Sequence, residues 1–149
     1  MRPIQHDVRA ALLVELDPAT LYRILQLRTD VFVVEQNCVY ADLDGRDLEP
    51  DARQLWIAAP SGAVLATLRL LTDPNGDARI GRVVTAASAR GERLAAALMQ
   101  RAIELAGARP IVLAAQSYLE AWYAGFGFAR DGAEFVEDGI PHVPMRRPS

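Results

Sequence analysis

Lysine is missing from this chain: all sixteen of its basic residues are arginine. Composition bias in the source genome explains the absence, and its chemical corollary is that the protein presents no lysine amine of its own. Cysteine is nearly absent too. The lone Cys38 cannot form an internal disulfide, which fits a reducing compartment. No apolar run approaches the length needed to cross a bilayer. The N-terminus, Met-Arg-Pro-Ile-Gln-His6-Asp7, lacks the apolar stretch of an export signal, so a cytoplasmic location without membrane attachment is expected. The net charge is −3 and the arginines are scattered rather than gathered into a stripe, which argues against electrostatically driven nucleic-acid binding. There is no Gly-x-Ser-x-Gly nucleophile motif, no internal repeat and no low-complexity segment. Asp42-Leu-Asp44-Gly45-Arg46-Asp47 begins like a calcium loop, but Arg46 interrupts the ligand alternation and Arg53 occupies the twelfth position where a glutamate is required. No metal site is expected, and His6 and Cys38 are read as ordinary packing residues.

What is present suits one domain spanning 1–149: 149 residues, 51% of them apolar, can bury a core without disulfide or metal staples. Ala11 to Leu16 reads as a strand. Asp17-Pro18 then opens a helix, Asp at the N-cap and Pro at the first turn, with Leu21, Ile24, Leu25, Arg28 and Phe32 on a 3.6-residue period toward Gln36. Asn37 to Arg53 is polar, acidic and turn-rich, the character of a binding loop. A hairpin follows, from Gln54 to Ala59, through Pro60-Ser-Gly62, to Ala63 to Leu71. A turn at Asp73 to Asp77 then leads into a strand from Arg79 to Thr85. Gly107 ends the helix that starts near Arg90, Pro110 precedes a strand from Ile111 to Gln116, and Ser117 to Tyr123 is helical. Ala129 to Val136, Asp138-Gly139 and Ile140 to Arg147 read as a closing hairpin.

The stretch from Arg82 to Met99 carries most of the functional information. A β-branched run, Val83-Val84-Thr85, passes through small residues into Arg90-Gly91, after which Leu94, Leu98 and Leu105 recur at helical spacing. First-turn N–H groups have no intrahelical partner and the helix dipole adds positive charge, so such a junction suits a phosphate or pyrophosphate. A second strand-then-helix unit ends in Tyr123-Ala-Gly125-Phe126-Gly127-Phe128.

In these two units the chain resembles the GNAT (Gcn5-related) acetyltransferase superfamily. The segments Leu27 to Gln36, Asp42 to Gly45, Ile80 to Val84 and Glu137-Asp-Gly-Ile-Pro-His142 are similar to its ElaA-like branch. The resemblance implies an α/β (α+β) fold, a mixed twisted sheet of about seven strands flanked by helices. It also implies that acetyl-CoA is the co-substrate and that its acetyl group passes by direct attack to a primary amine, on a small molecule or a peptide. By the same resemblance the pantetheine arm pairs with Val83, Val84 and Thr85. The pyrophosphate turn maps to Arg90, Gly91, Glu92, Arg93, Leu94 and Ala95, and the second unit brings Gln116 and Tyr123. Tyr123 matches the tyrosine that protonates the leaving thiolate, a role suited to a phenol that is a donor at neutral pH, while Trp122, Phe126 and Phe128 read as core aromatics. The proton acceptor is left open between Glu35 and His142: histidine titrates near neutrality, whereas a glutamate needs a raised pKa or a water relay.

Arg93 departs from the family pattern, standing where a glycine is usual. It either pushes the pyrophosphate outward or bonds a phosphate through its guanidinium, and glycine near a helix start is expected to cost up to about 1 kcal/mol. The acidic loop either favours a cationic amine or is a solvated turn-forming segment. A non-catalytic acyl-CoA-binding or regulatory module, a longer acyl donor and a homodimer remain open.

Overall fold

A computed structural model describes residues 7–149; His6 and the N-terminal stretch read for export signals lie outside the described residues. Among the described residues eight strands, β1 (Arg9–Leu12), β2 (Arg53–Ala58), β3 (Val64–Thr72), β4 (Ala78–Thr85), β5 (Ile111–Gln116), β6 (Ala129–Arg130), β7 (Phe135–Glu137) and β8 (Ile140–Arg147), form one sheet in the order β1-β2-β3-β4-β5-β8-β6, with β7 also paired to β8. That is one strand more than the seven expected. Every neighbouring pair is antiparallel except β4 and β5. Three α-helices flank the sheet.

The first strand is Arg9–Leu12 (β1), not Ala11 to Leu16, because its partner ends: Leu12 faces Arg53, the first residue of β2 (Arg53–Ala58). Beyond it the Glu15 carboxylate accepts the Leu12 N–H at 2.8 Å and closes a tight turn over Leu13–Glu15. Asp17 caps α1 (Pro18–Thr29) by accepting the Thr20 N–H at 2.7 Å. The helix then continues as a wider π turn over Asp30–Glu35, where three valines crowd the backbone and Gln36 N–H reaches Val31 O at 3.0 Å.

β3 (Val64–Thr72) and β4 (Ala78–Thr85) are out of step by one residue: Thr67 faces Val84 but Arg69 faces Gly81. The extra residue in β4 is a bulge, with Arg82 in the left-handed region at φ 54°. The helix α2 is Leu94–Ala106, starting four residues later than expected from Arg90, and Gly107 at φ 64° terminates it as expected. β5 (Ile111–Gln116) leads through a turn into a short α3 (Glu120–Ala124). The closing hairpin is broken into β6 (Ala129–Arg130) and β7 (Phe135–Glu137), both on β8 (Ile140–Arg147). The break falls opposite Pro144, which has no N–H to offer the ladder; its carbonyl accepts the Asp131 N–H at 2.8 Å.

One face of the sheet packs Leu55, Leu68, Leu70 and Ile80 under Leu94, Leu98 and Met99 of α2; the other packs Trp56, Val64 and Val84 under Ile24, Leu27 and Val31. The acidic loop is anchored rather than solvated. Arg28, 0% exposed, gives Nε to Asp42 at 3.0 Å and Nη1 to Asp47 at 2.9 Å. Arg69 grips both carboxylate oxygens of Asp44, at 2.8 and 2.7 Å, and Arg82 reaches Asp42 at 2.8 Å. Tyr40 and Gln54 complete the set through Asp42 and Asp47, both at 2.8 Å.

Removing one partner of such a buried set strands the others, so Arg28→Met should lower the unfolding free energy by about 3–5 kcal/mol, read by urea denaturation. Arg69 holds the Asp44 carboxyl well below the usual carboxylate range. Burial alone would raise Asp47, but the bonds and charge of Arg28, with Arg69 and Gln54, turn the net shift downward. Depressed folded-state values mean stability that is complete at neutral pH and lost as the pH falls below about 4. Asp44→Asn should therefore flatten the acid limb of a stability–pH profile, and a limb as steep as the parent's would exclude Asp44 from it.

Candidate active site

β4 and β5 are parallel and paired only at Ala78–Ile111 and Arg79–Val112, although β4 continues to Thr85 and β5 to Gln116. Past Arg79 the strands splay. A cleft of about 1320 Å³ opens between them, lined by Val83, Val84 and Thr85 on one wall and by Leu113, Gln116 and Tyr123 on the other. Arg90, Gly91, Arg93, Leu94 and Ala95 line it where α2 begins; Glu92, also expected there, does not. The splay leaves the β4 backbone without a strand partner along the cleft wall, where an amide-bearing chain can pair with it.

At the start of α2 the Arg93 carbonyl accepts the Ala97 N–H at 3.2 Å, so the N–H groups of Leu94, Ala95 and Ala96 precede the first helical hydrogen bond and are available to an anion. Arg93 itself is the N-cap, at φ 60° and ψ 28°. This is the left-handed conformation that glycine takes without strain. The backbone has the geometry of the missing glycine, and the exposed guanidinium makes no hydrogen bond or ion pair among the described residues. Gly91, at φ 88°, completes the turn.

Two elements bring Glu35 to this turn. It ends the π segment of the first helix, and its carboxylate accepts Arg90 Nη2 at 2.6 Å while Arg90 Nε bonds Thr85 O at 3.3 Å. Glu35 thus lines the cleft already engaged by a cation.

Tyr123 belongs to the α2-side core and is 7% exposed, yet its hydroxyl has no hydrogen-bond partner among the described residues and its ring borders the cleft. Burial, with Tyr118 nearby, pushes its pKa up to about 12, so the phenol is a neutral proton donor at physiological pH. Trp122 meets Tyr123 edge-on at 4.9 Å; expected in the core, it is 37% exposed and lines the cleft instead, whereas Phe128 is fully packed.

His142 enters from the opposite face of the sheet, because its neighbours in β8, Val143 and Met145, occupy alternate positions in the α2-side core. Its Nδ1 lies 2.7 Å from Ile140 O, which only accepts, so Nδ1 carries the proton and Nε2 of the neutral ring keeps its lone pair. Phe135 stacks on the ring at 5.7 Å. Cys38 also reaches the cleft, donating Sγ–H to Asp138 O at 3.2 Å. Asp42, Asp44 and Asp47, weighed as an attraction for a cationic substrate, are consumed by Arg28, Arg69 and Arg82, so no unopposed charge comes from them. Among the described residues no helix is long and apolar enough to cross a membrane.

A family model for an acetyltransferase (GNAT) domain matches residues 29–148. A UPF0039 protein of Mycobacterium tuberculosis is 49% identical over 137 residues, which cover 90% of this chain and 88% of that one. Protein ElaA of Escherichia coli is 40% identical over 139 residues, 89% and 90% of the two chains. Among solved structures, an acyl-CoA N-acyltransferase from Pseudomonas aeruginosa superposes with a TM-score of 0.88 at 43% identity, covering 95% of this chain and 99% of that one.

The conformation of Arg93 reverses the expectation for glycine there. A left-handed arginine costs about 1–2 kcal/mol and the added chain freedom of glycine offsets about half of that. Arg93→Gly should therefore stabilise the protein by up to about 1 kcal/mol in chemical denaturation; a lowered midpoint would show that the turn is not strained.

Proposed function

From its membership of the ElaA-like branch of the GNAT acetyltransferases, a family of acyl-CoA-dependent acyltransferases, we propose that this chain moves the acetyl group of acetyl-CoA to a primary amine by direct attack. The observation that carries the reading is the convergence, in one cleft, of an anion-binding helix start on the α2 side, a neutral unpartnered Tyr123 hydroxyl, and His142 entering from the other face. Donor and acceptor then approach from opposite sides of the sheet and meet at the splay. Held in register, the two reactants need no covalent intermediate on the enzyme, and Cys38 spends its Sγ–H on the Asp138 carbonyl, with no hydrogen bond to a base among the described residues.

The donor fits what lines the first entrance. The first-turn N–H groups, Arg90 and Arg93 face its pyrophosphate, and the free edge of Val83 to Thr85 faces the amides of its arm. An ammonium acceptor must shed a proton before it attacks, and His142 Nε2 takes it. The amine nitrogen bonds to the thioester carbonyl carbon, the C–S bond breaks, and Tyr123 protonates the leaving thiolate. Of the two protons the ammonium gives up, one leaves on His142 and the other restores Tyr123, so the products are an amide and a thiol. A non-catalytic binding module would have no use for a phenol whose ring is buried and whose hydroxyl meets the cleft without a partner among the described residues. The free Cys38 thiol supports a cytoplasmic setting.

Calorimetry should detect acetyl-CoA binding with a matching rise in melting temperature; no heat at millimolar ligand, on folded protein, would remove the site. Tyr123→Phe should keep that affinity and lower kcat and kcat/KM together by about 10²-fold or more, as expected for an interaction made only in the transition state. Unchanged turnover would take Tyr123 out of the chemistry. Arg93→Ala, which keeps the turn but removes the guanidinium, should weaken CoA binding by about 1–3 kcal/mol, and affinity equal to the parent's at matched ionic strength would show no net phosphate contact.

A further inference from the structure

The segment Glu137-Asp-Gly-Ile-Pro-His142 is only partly used by the chemistry above. Register places its side chains. Gln116, His142 and Phe135 are directly opposite one another across β5, β8 and β7, and Glu137 faces Ile140 two residues along the same pair of strands. Residues two apart share a face, so Glu137 and Ile140 stand on the His142 face, with Glu137 diagonal to His142 at about 7–8 Å between Cα atoms. Glu137, Ile140 and His142 all line the cleft, as does Asp138 at the tip of the hairpin.

On this side of the cleft the positive charges are already spent. Arg46 and Arg79 are tied to Asp73, and Arg69 and Arg82 to Asp44. Glu35 is held by Arg90. Among the cleft-lining carboxylates of the described residues, Glu137 and Asp138 are the two without a side-chain partner. Across the same cleft, from the α2 side, stands the Tyr123 hydroxyl, without a hydrogen-bond partner among the described residues in a side chain 7% exposed, so the space between it and the Glu137 side is open to a ligand.

We propose that Glu137, with Asp138 beside it, holds a second positive charge on the acceptor while His142 deprotonates the reacting ammonium, so that the preferred acceptors are amines carrying a further cationic group. This rests on the acetyl-transfer reading of the cleft. A carboxylate two residue pairs from the base, on the same face, keeps one ammonium charged and orients the other toward Nε2. It also adds affinity in proportion to the second charge, which a simple alkylamine lacks.

The test uses CoA-loaded protein titrated with 1,4-diaminobutane and with n-butylamine, followed by calorimetry or ligand-observed NMR. Glu137 is exposed, so the diamine should bind about fivefold more tightly than the monoamine, the size of one solvent-exposed ion pair. Glu137→Gln should remove most of that difference and leave CoA affinity intact, and Glu137→Asp should restore part of it. Equal binding of the two amines, binding of neither, or a difference that survives in Glu137→Gln overturns the assignment. If CoA itself fails to bind, the acetyl-transfer reading falls as well; if CoA binds and the amines are not distinguished, only the acceptor assignment falls.

Discussion

Everything on the acceptor side of this protein depends on two guanidinium groups, those of Arg28 and Arg69, that cannot remain buried alone, and on a half-buried third, that of Arg82. Arg28 projects from the apolar stripe of α1 and is 0% exposed, and removing a charge from solvent is prohibitive unless it is matched. Asp42 and Asp47 match it, and in doing so fold the long loop after the first helix down onto the sheet. Arg69 and Arg82 extend the set to Asp44 and bring in the strand that forms the donor wall. Three positive and three negative charges cancel. The loop therefore acts as a wall of the cleft rather than as a source of field, and the bulge that turns Arg82 toward it is fixed by the same bonds.

The donor side is organised by backbone rather than by charge. Two strands that pair for two residues and then part leave a gap whose floor is the sheet itself, and the left-handed Arg93 turns the chain sharply enough for α2 to begin at its rim. Strain at that residue persists because Leu94 and Leu98, immediately after it, are fully buried and hold the helix in place. The Glu35–Arg90 pair joins the two sides: one residue ends the helix that walls the acceptor, the other precedes the turn that faces the donor.

Much of this was legible in the sequence. The Asp17-Pro18 start, the Gly107 stop and the strand–turn–helix order all follow local rules that the structure obeys. Arg28 is visible as a charge on an apolar period, and Arg69 as a charge within Leu68 to Leu71; with three aspartates in one loop they make a buried ion network, an outcome outside the two that loop composition alone suggests, a lure for a cationic amine or a solvated turn. The first strand ended early because its partner did, and the closing hairpin broke at Pro144 because a ladder needs N–H groups on both sides, a rule readable only once the register was known. Neither Arg82 nor Arg93 announced a positive φ, since nothing in the residue type favours it and the surrounding packing imposes it. The face occupied by Glu137 likewise needed the strand pairing.

A sheet that parts in its middle has, in effect, four edges instead of two, and unpaired edges are where proteins stick to one another. Here the two inner edges are recessed between α2 on one side and the Cys38 loop with the Asp138 turn on the other, joined by the thiol's bond to the Asp138 carbonyl. A single extended chain can reach the exposed backbone, but the edge of another sheet, which arrives with its own neighbouring strands, cannot. The walls thus protect the folded protein from self-assembly while leaving the gap open to a slender ligand, so widening the cleft to admit bulkier substrates would trade solubility for scope.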